Sequence, residues 1–305
     1  MNIPLPLKKN DLIAIVGPSG YIDNRKTESC IQMLKDWGYQ VQTDLQTIGI
    51  DRGNYFAGSD EIRAAALQKA LDDPNIKAII CARGGYGMSR IIDRLDFRKF
   101  KKKPKWVVGY SDITLLHLHI QKKTKTISLH APMAAAFMKL QDKPYLDLIH
   151  QALSGRPLNY KFAPSEFNIH GKIKGDLIGG NLALLAHSIG SISSPDLHNK
   201  ILFIEDVGEY YYTIDRMLWQ LKRAGWFNKI KGLLVGDFSS TKDTLRPFGK
   251  TLDQIIMDVI PPELPVAFNI PVGHQGANVS FKCGASYALT INRSGVHLKE
   301  IIKSN

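Results

Sequence analysis

Cysteine is scarce: there are three in 305 residues, Cys30, Cys81 and Cys283, widely spaced and with no CxxC pair. An odd number so placed argues against a disulfide framework or a zinc knuckle and fits a reducing compartment. No apolar run approaches the ~20 residues needed to cross a bilayer, so no membrane association is expected. The N-terminal stretch carries Pro4, Pro6, Lys8 and Lys9 but no apolar segment and no small-residue cleavage site, unlike a secretory signal. The expected location is therefore the cytoplasm. Internal repeats and low-complexity tracts are missing too, and only Lys303, Ser304 and Asn305 read as disordered.

The remaining composition is that of a globular chain. Hydrophobic residues make up 44% and charged residues 22%, enough for a substantial core, and the length suits two domains. The formal net charge of +12 admits a nucleic-acid partner. Yet the densest run, Lys99-Phe100-Lys101-Lys102-Lys103-Pro104-Lys105, lacks an interleaved aromatic platform and sits where a loop would precede a strand. It reads as a solvated loop, and no nucleic-acid partner is expected.

Short apolar runs alternate with amphipathic stretches through the first half. The pattern predicts strands over 11–16, 39–42, 76–81 and 106–109, and helices over 24–37, 59–71 and 113–121. That is a doubly wound α/β domain over residues 1–155, with its functional loops at the carboxyl ends of strands. Ser154-Gly155-Arg156-Pro157 is a break, and the polar stretch 156–172 reads as a linker. Residues 173–305 read as a second, mixed α/β domain, with helices over 182–189 and 213–224 and strands over 201–204, 232–236 and 286–291.

Four strand-end loops carry the chemistry. In Gly109-Tyr110-Ser111-Asp112 a serine lies on a tight strand-to-helix turn, the setting of a nucleophile elbow, although Ile113 stands where a second glycine is usual. A plain helix N-cap at Ser111 or Asp112 is the alternative. Arg83-Gly84-Gly85-Tyr86-Gly87 lets backbone N–H groups approach a ligand, as an oxyanion hole requires, or is simply a tight turn. A phosphate loop is excluded, because neither this stretch nor Gly17-Pro18-Ser19-Gly20 is completed by Lys-Ser/Thr. Glu205, Asp206 and Glu209 follow an apolar strand, where an acid can orient a histidine or mark a surface turn. His274 is bracketed by Gly273 and Gly276, a seat for a mobile general base. His117 and His119, two apart on a helix, point away from each other, so no metal site is expected.

Together these loops give the order Ser…Glu…His, one of those adopted by convergent triads. With Phe56-Ala57-Gly58-Ser59-Asp60-Glu61 and Arg63, Gly179-Gly180-Asn181-Leu182, and Asp215-Arg216, the chain resembles the LD-carboxypeptidase family of serine peptidases. That family is also known as the muramoyl-tetrapeptide carboxypeptidase or microcin-immunity group. The motifs run in family order from residue 12 to about 290. The resemblance implies a Rossmann-like serine domain, a smaller barrel-like domain with the acid and the histidine, and a homodimer. It assigns the nucleophile to Ser111, the orienting acid to Glu205 and the general base to His274. The backbone N–H groups of Asp112 and Gly85 would form the oxyanion hole, and no cofactor is needed. The implied substrate is a murein tetrapeptide losing its terminal D-alanine in cell-wall recycling. Arg83 is the candidate for the substrate carboxylate, or else a brace within its own loop. Two rivals are a microcin-immunity-like peptidase cleaving a peptidyl-nucleotide and a non-catalytic α/β binding protein.

Overall fold

The unbroken apolar run of residues 12–16 forms strand β1 (Leu12–Val16), a buried interior strand one place in from the edge of its sheet. The structure, a computed structural model, describes residues 1–140, 144–276 and 278–302. Continuing along the chain come α1 (Arg25–Asp36), β2 (Gln40–Thr43), α2 (Asp60–Asp72), β3 (Ile76–Cys81), α3 (Met88–Ile91) and α4 (Arg98–Lys102). They are followed by β4 (Trp106–Gly109), α5 (Thr114–Thr124), β5 (Ser128–His130), α6 (Phe137–Leu140) and α7 (Tyr145–Leu153).

The parallel order β5-β4-β3-β1-β2 is doubly wound, and its direction reverses between β1 and β3. Ligands of such sheets bind outside the carboxyl ends of the strands at that reversal. Local signals agree with the elements. Helix α2 starts where Ser59 Oγ accepts the Ile62 N–H at 3.3 Å and Asp60 and Glu61 meet the helix dipole, and it stops before Pro74.

The chain divides into two units, Met1–Arg156 with Val279–Gly284, and Pro157–Asn278 with Ala285–Asn305. The second contains β6 (Asn159–Phe162), β7 (Gly171–Asn181), α8 (Leu182–Ser188), β8 (Lys200–Val207), α9 (Tyr211–Arg223), β9 (Gly232–Ser239), α10 (Leu252–Met257) and β10 (Val266–Ala267). Strand β11 (Phe281–Cys283) belongs to the first unit, antiparallel to β5. The second unit ends with β12 (Ser286–Asn292) and β13 (Gly295–Glu300). Its sheet runs β10-β9-β8-β7-β12-β13-β6, parallel from β10 to β7 and antiparallel beyond. This is the expected mixed α/β architecture; beyond the sheet order, an antiparallel bridge on the other side of β10 pairs Val266 with Ile169 through N–H···O bonds of 3.0 and 3.1 Å.

Two local expectations differ from the structure. The stretch read as a linker, 156–172, contains β6 and the start of β7. Its polar composition is that of an edge strand, with Tyr160 buried between exposed Asn159 and Lys161. The basic run is not all solvated loop either. Residues 98–102 form a helical turn around fully buried Phe100, and Lys105 is buried. Lys105 Nζ donates to the carbonyls of Ala70 and Asp73 at the end of α2, and burial lowers its pKa to about 8. The tail read as disordered, Lys303–Asn305, lies outside the described residues. Among the described residues no helix is long and apolar enough to cross a membrane.

Candidate active site

The serine turn is shaped by contacts that few residues would permit. A Cβ at Gly109 would stand 2.8 Å from Ile113 Cγ2, so only glycine lets β4 fold back under the following turn. The Gly109 carbonyl accepts from Ala131 N at 3.1 Å and pairs with His117 Nε2 at 2.9 Å. A carbonyl only accepts, so Nε2 carries the proton. Burial lowers the His117 pKa to about 4, against the opposing effect of that hydrogen bond, and keeps the ring neutral.

Ser111 itself has φ +61°, left-handed backbone that costs an L-residue about 1–2 kcal/mol. A strained serine between a buried strand and a helix has the geometry of a nucleophile elbow. The plain N-cap alternative is not supported, since Tyr110 and Ile113 occupy the N-cap positions and neither makes a side-chain cap.

Against this turn lies the glycine loop. A Cβ at Gly84 would stand 3.1 Å from Ser111 Cβ and 3.2 Å from its Oγ, so the absence of a side chain there admits the serine. Gly85 has φ +95°, and a Cβ on it would meet the Tyr55 hydroxyl at 2.7 Å. Arg83 is exposed, and its Nη1 donates to the Tyr21 carbonyl at 2.6 Å, which ties the glycine loop to the loop after β1. Behind the loop, fully buried Arg63 donates from Nη1 to the carbonyls of Pro18 (2.6 Å) and Gly87 (3.0 Å), and from Nε to that of Gly58 (3.1 Å). Its Nη2 pairs with Asp60. Asp112, also buried, accepts at Oδ2 from Ser19 Oγ (2.6 Å) and from Met88 N (2.8 Å).

In the second unit the neighbouring acids of β8 do different work. The β8–β9 register shifts between Ile204 and Asp206, an irregularity of the kind that re-aims a side chain. Fully buried Glu205 places Oε2 2.7 Å from His274 Nδ1. Burial opposes protonation of the imidazole. The hydrogen bond and charge of Glu205, with the charges of Asp206 and Asp237, outweigh it and hold the His274 pKa above its ordinary value. Asp206 turns to the start of α8, accepting from Asn181 Nδ2 (2.8 Å), Ala183 N (3.0 Å) and Val207 N (2.8 Å). Burial raises its pKa to about 6. Gly273 has φ +149° and packs so closely on Asp237 that a Cβ would approach Asp237 Cβ to 2.8 Å. Ala277 of this loop lies outside the described residues.

The first unit thus brings together Ser111, Asp112 and the loop of Arg83, Gly84 and Gly85, and the second brings together Glu205 and His274. Missed from sequence were any role for Ser19 and the loop-holding function of Arg63. Ser19 had shown only as part of a failed phosphate motif; the signal was a small hydroxyl residue among glycines at a strand end. Among the described residues no group of three His, Cys, Asp or Glu is placed to hold a metal ion. His119 packs on Phe97 at 5.2 Å between ring centroids, and His130 lies 6.0 Å from Tyr110.

Residues 13–131 match the model of the LD-carboxypeptidase N-terminal domain, and residues 174–289 match that of the LD-carboxypeptidase C-terminal domain. A probable murein peptide carboxypeptidase of Bacillus subtilis is 34% identical over 94% of this chain and 91% of its own length. The chain belongs to the LD-carboxypeptidase family. It is an enzyme, a serine-type LD-carboxypeptidase. The crystal structure of muramoyltetrapeptide carboxypeptidase from Oxalobacter formigenes superimposes with a TM-score of 0.86 at 29% identity, covering 96% of this chain and all of the other. An MccF-like protein from Bacillus anthracis also gives 0.86, at 25% identity, over 99% of this chain and 100% of its own. In this LD-carboxypeptidase the matched segments contain Ser111 and the glycine loop in the first case and Glu205 and His274 in the second.

Proposed function

We propose that this carboxypeptidase hydrolyses the L,D bond of a murein tetrapeptide, with Ser111 as nucleophile, His274 as general base and Glu205 as the acid that orients it. The observation that carries the reading is the left-handed Ser111, packed against a glycine where even a methyl group would press on the serine side chain. The Glu205–His274 hydrogen bond of 2.7 Å supports the other half, and the names of the related enzymes support the substrate class.

His274 takes the Ser111 proton, and the alkoxide adds to the carbonyl carbon of the scissile amide. The N–H groups of Asp112 and Gly85 receive the oxyanion. The C–N bond breaks as the imidazolium returns its proton to the leaving D-alanine nitrogen, leaving an acyl-enzyme. Water, deprotonated by the same imidazole, then attacks the ester and frees both peptide and serine. Arg83 binds the terminal carboxylate with the part of its guanidinium not engaged by Tyr21. This chemistry serves cell-wall recycling in the cytoplasm and is carried out by a homodimer.

The test is D-alanine release from purified murein tetrapeptide by the wild type and by Ser111→Ala. Release by the wild type alone supports the reading. Equal release by both overturns the nucleophile. Failure to cleave the tetrapeptide, with cleavage of a peptidyl-nucleotide, would favour the microcin-immunity-like alternative.

A further inference from the structure

Asp112 directly follows the proposed nucleophile, and its carboxylate is buried although a neutral side chain would cost less to bury. One oxygen of it receives two donors from two different loops. Met88 N–H is the first amide after the glycine loop, and the Ser19 hydroxyl comes from the loop after β1. The next residue, Gly20, donates its N–H to the Gly84 carbonyl at 3.0 Å. A closed circuit results: from Asp112 through Ser19 and Gly20 to one end of the glycine loop, and from Asp112 through Met88 to the other. Arg63 pins the outside of the same two loops at Pro18 and Gly87.

We propose that the Asp112 carboxylate and the Ser19 hydroxyl are positioning groups that hold the glycine-loop amides in register with the serine turn. The proposal rests on the reading of Ser111 as nucleophile and of the loop amides as oxyanion donors. Neither group touches substrate; each acts through the backbone of residues 84–88. The contacts so placed strengthen only as charge develops on the reacting carbonyl, so their disturbance lowers kcat and leaves KM alone. The effect comes from shape and hydrogen bonding rather than charge. An amide at position 112 has one oxygen able to accept both donors, and it should substitute.

Four variants and the wild type test this, each by kcat, KM, melting temperature and amide hydrogen exchange. Ser19→Ala is expected to lose about tenfold in kcat with KM within about twofold, and Asp112→Ala about 100-fold. Asp112→Asn should recover most of the kcat that Asp112→Ala loses, because its amide oxygen can accept both donors. Combining Ser19→Ala with Asp112→Ala should be no worse than Asp112→Ala alone, because the hydroxyl acts only through the carboxylate. Exchange at residues 84–88 should quicken in Ser19→Ala while β3 and β4 stay protected. If Ser19→Ala turns over at the wild-type rate, the proposal is overturned. It is equally overturned if protection is lost evenly across the sheet, or if Asp112→Asn is as poor as Asp112→Ala. Ser111→Ala is assayed beside them. Retained turnover there removes the nucleophile assignment, whereas the exchange pattern still decides whether the brace exists.

Discussion

Replace Gly84 by alanine, and the new Cβ stands 3.1 Å from Ser111 Cβ, 3.2 Å from Ser111 Oγ and 3.1 Å from Met133 Cε. Gly84 is not among the residues with positive φ, so the backbone itself tolerates the change. The methionine end can swing away at little cost. Ser111 cannot, because the turn is pinned at the Gly109 carbonyl and at the Asp112 carboxylate. The relief, a few tenths of an ångström, therefore falls partly on the serine side chain. Since a misplacement of about 1 Å can cost ~10²-fold in rate, this smaller shift should cost about tenfold in kcat, or ~1.4 kcal/mol of barrier. Overpacking should cost about 1–3 kcal/mol of stability, with Tm falling ~2–4 °C for each of those kcal/mol in a chain of this order of size. Steady-state D-alanine release, with kcat and KM resolved, and a melting curve on the same sample make the test. A folded Gly84→Ala enzyme with wild-type kcat would mean that the serine pressed by this glycine is not the reacting group.

Other outcomes follow from the second unit and from the absence of a metal step. A general base must be neutral, so kcat/KM should fall as pH drops through the His274 pKa, which lies above the ordinary value of about 6.5. Glu205→Gln removes the charge and weakens the hydrogen bond that raise it, so the acidic limb should move to lower pH; an unmoved limb would detach Glu205 from the base. The same variant should lose ~10⁴-fold in turnover, as the corresponding amide does in other triads. His274→Ala should lose at least as much, and the double variant little more, because the two groups act as a unit. Multiplicative losses in folded protein would contradict the pairing. EDTA should leave the rate unchanged; a loss restored by Zn²⁺ would contradict the cofactor-free mechanism.

The legible parts of the fold were those with local signals. Ile76–Cys81 and Trp106–Gly109 are buried apolar runs bounded by glycine loops, and their limits agree with the structure. Ser111, the glycine loop and His274 were visible because each follows such a strand and is bracketed by residues of special backbone freedom. Glu205 was assigned through the family resemblance alone, since it and Asp206 sit side by side at the end of one strand; in the structure it is Glu205 that lies against His274, beside a shift in the β8–β9 register. Strand β11 was not legible. Its three residues, Phe281–Cys283, have no periodicity of their own, and they become a strand by pairing with β5 more than 150 residues earlier. Strand β6 was hidden by its polar edge. Lys105 looked like one more solvated lysine because nothing local announces that its ammonium terminates α2. Ser19 and Arg63 were obscured for the same reason, as a buried polar circuit is defined by partners far away in sequence.

The most direct test of the hydrolytic mechanism is the site of covalent capture by a fluorophosphonate, read by peptide mass spectrometry on pure protein. Ser111 should carry the adduct, with one label per chain; labelling should vanish in Ser111→Ala and slow sharply in His274→Ala. An unlabelled protein that still releases D-alanine, or a label on another residue in a Ser111→Ala variant that remains active, would contradict the assignment.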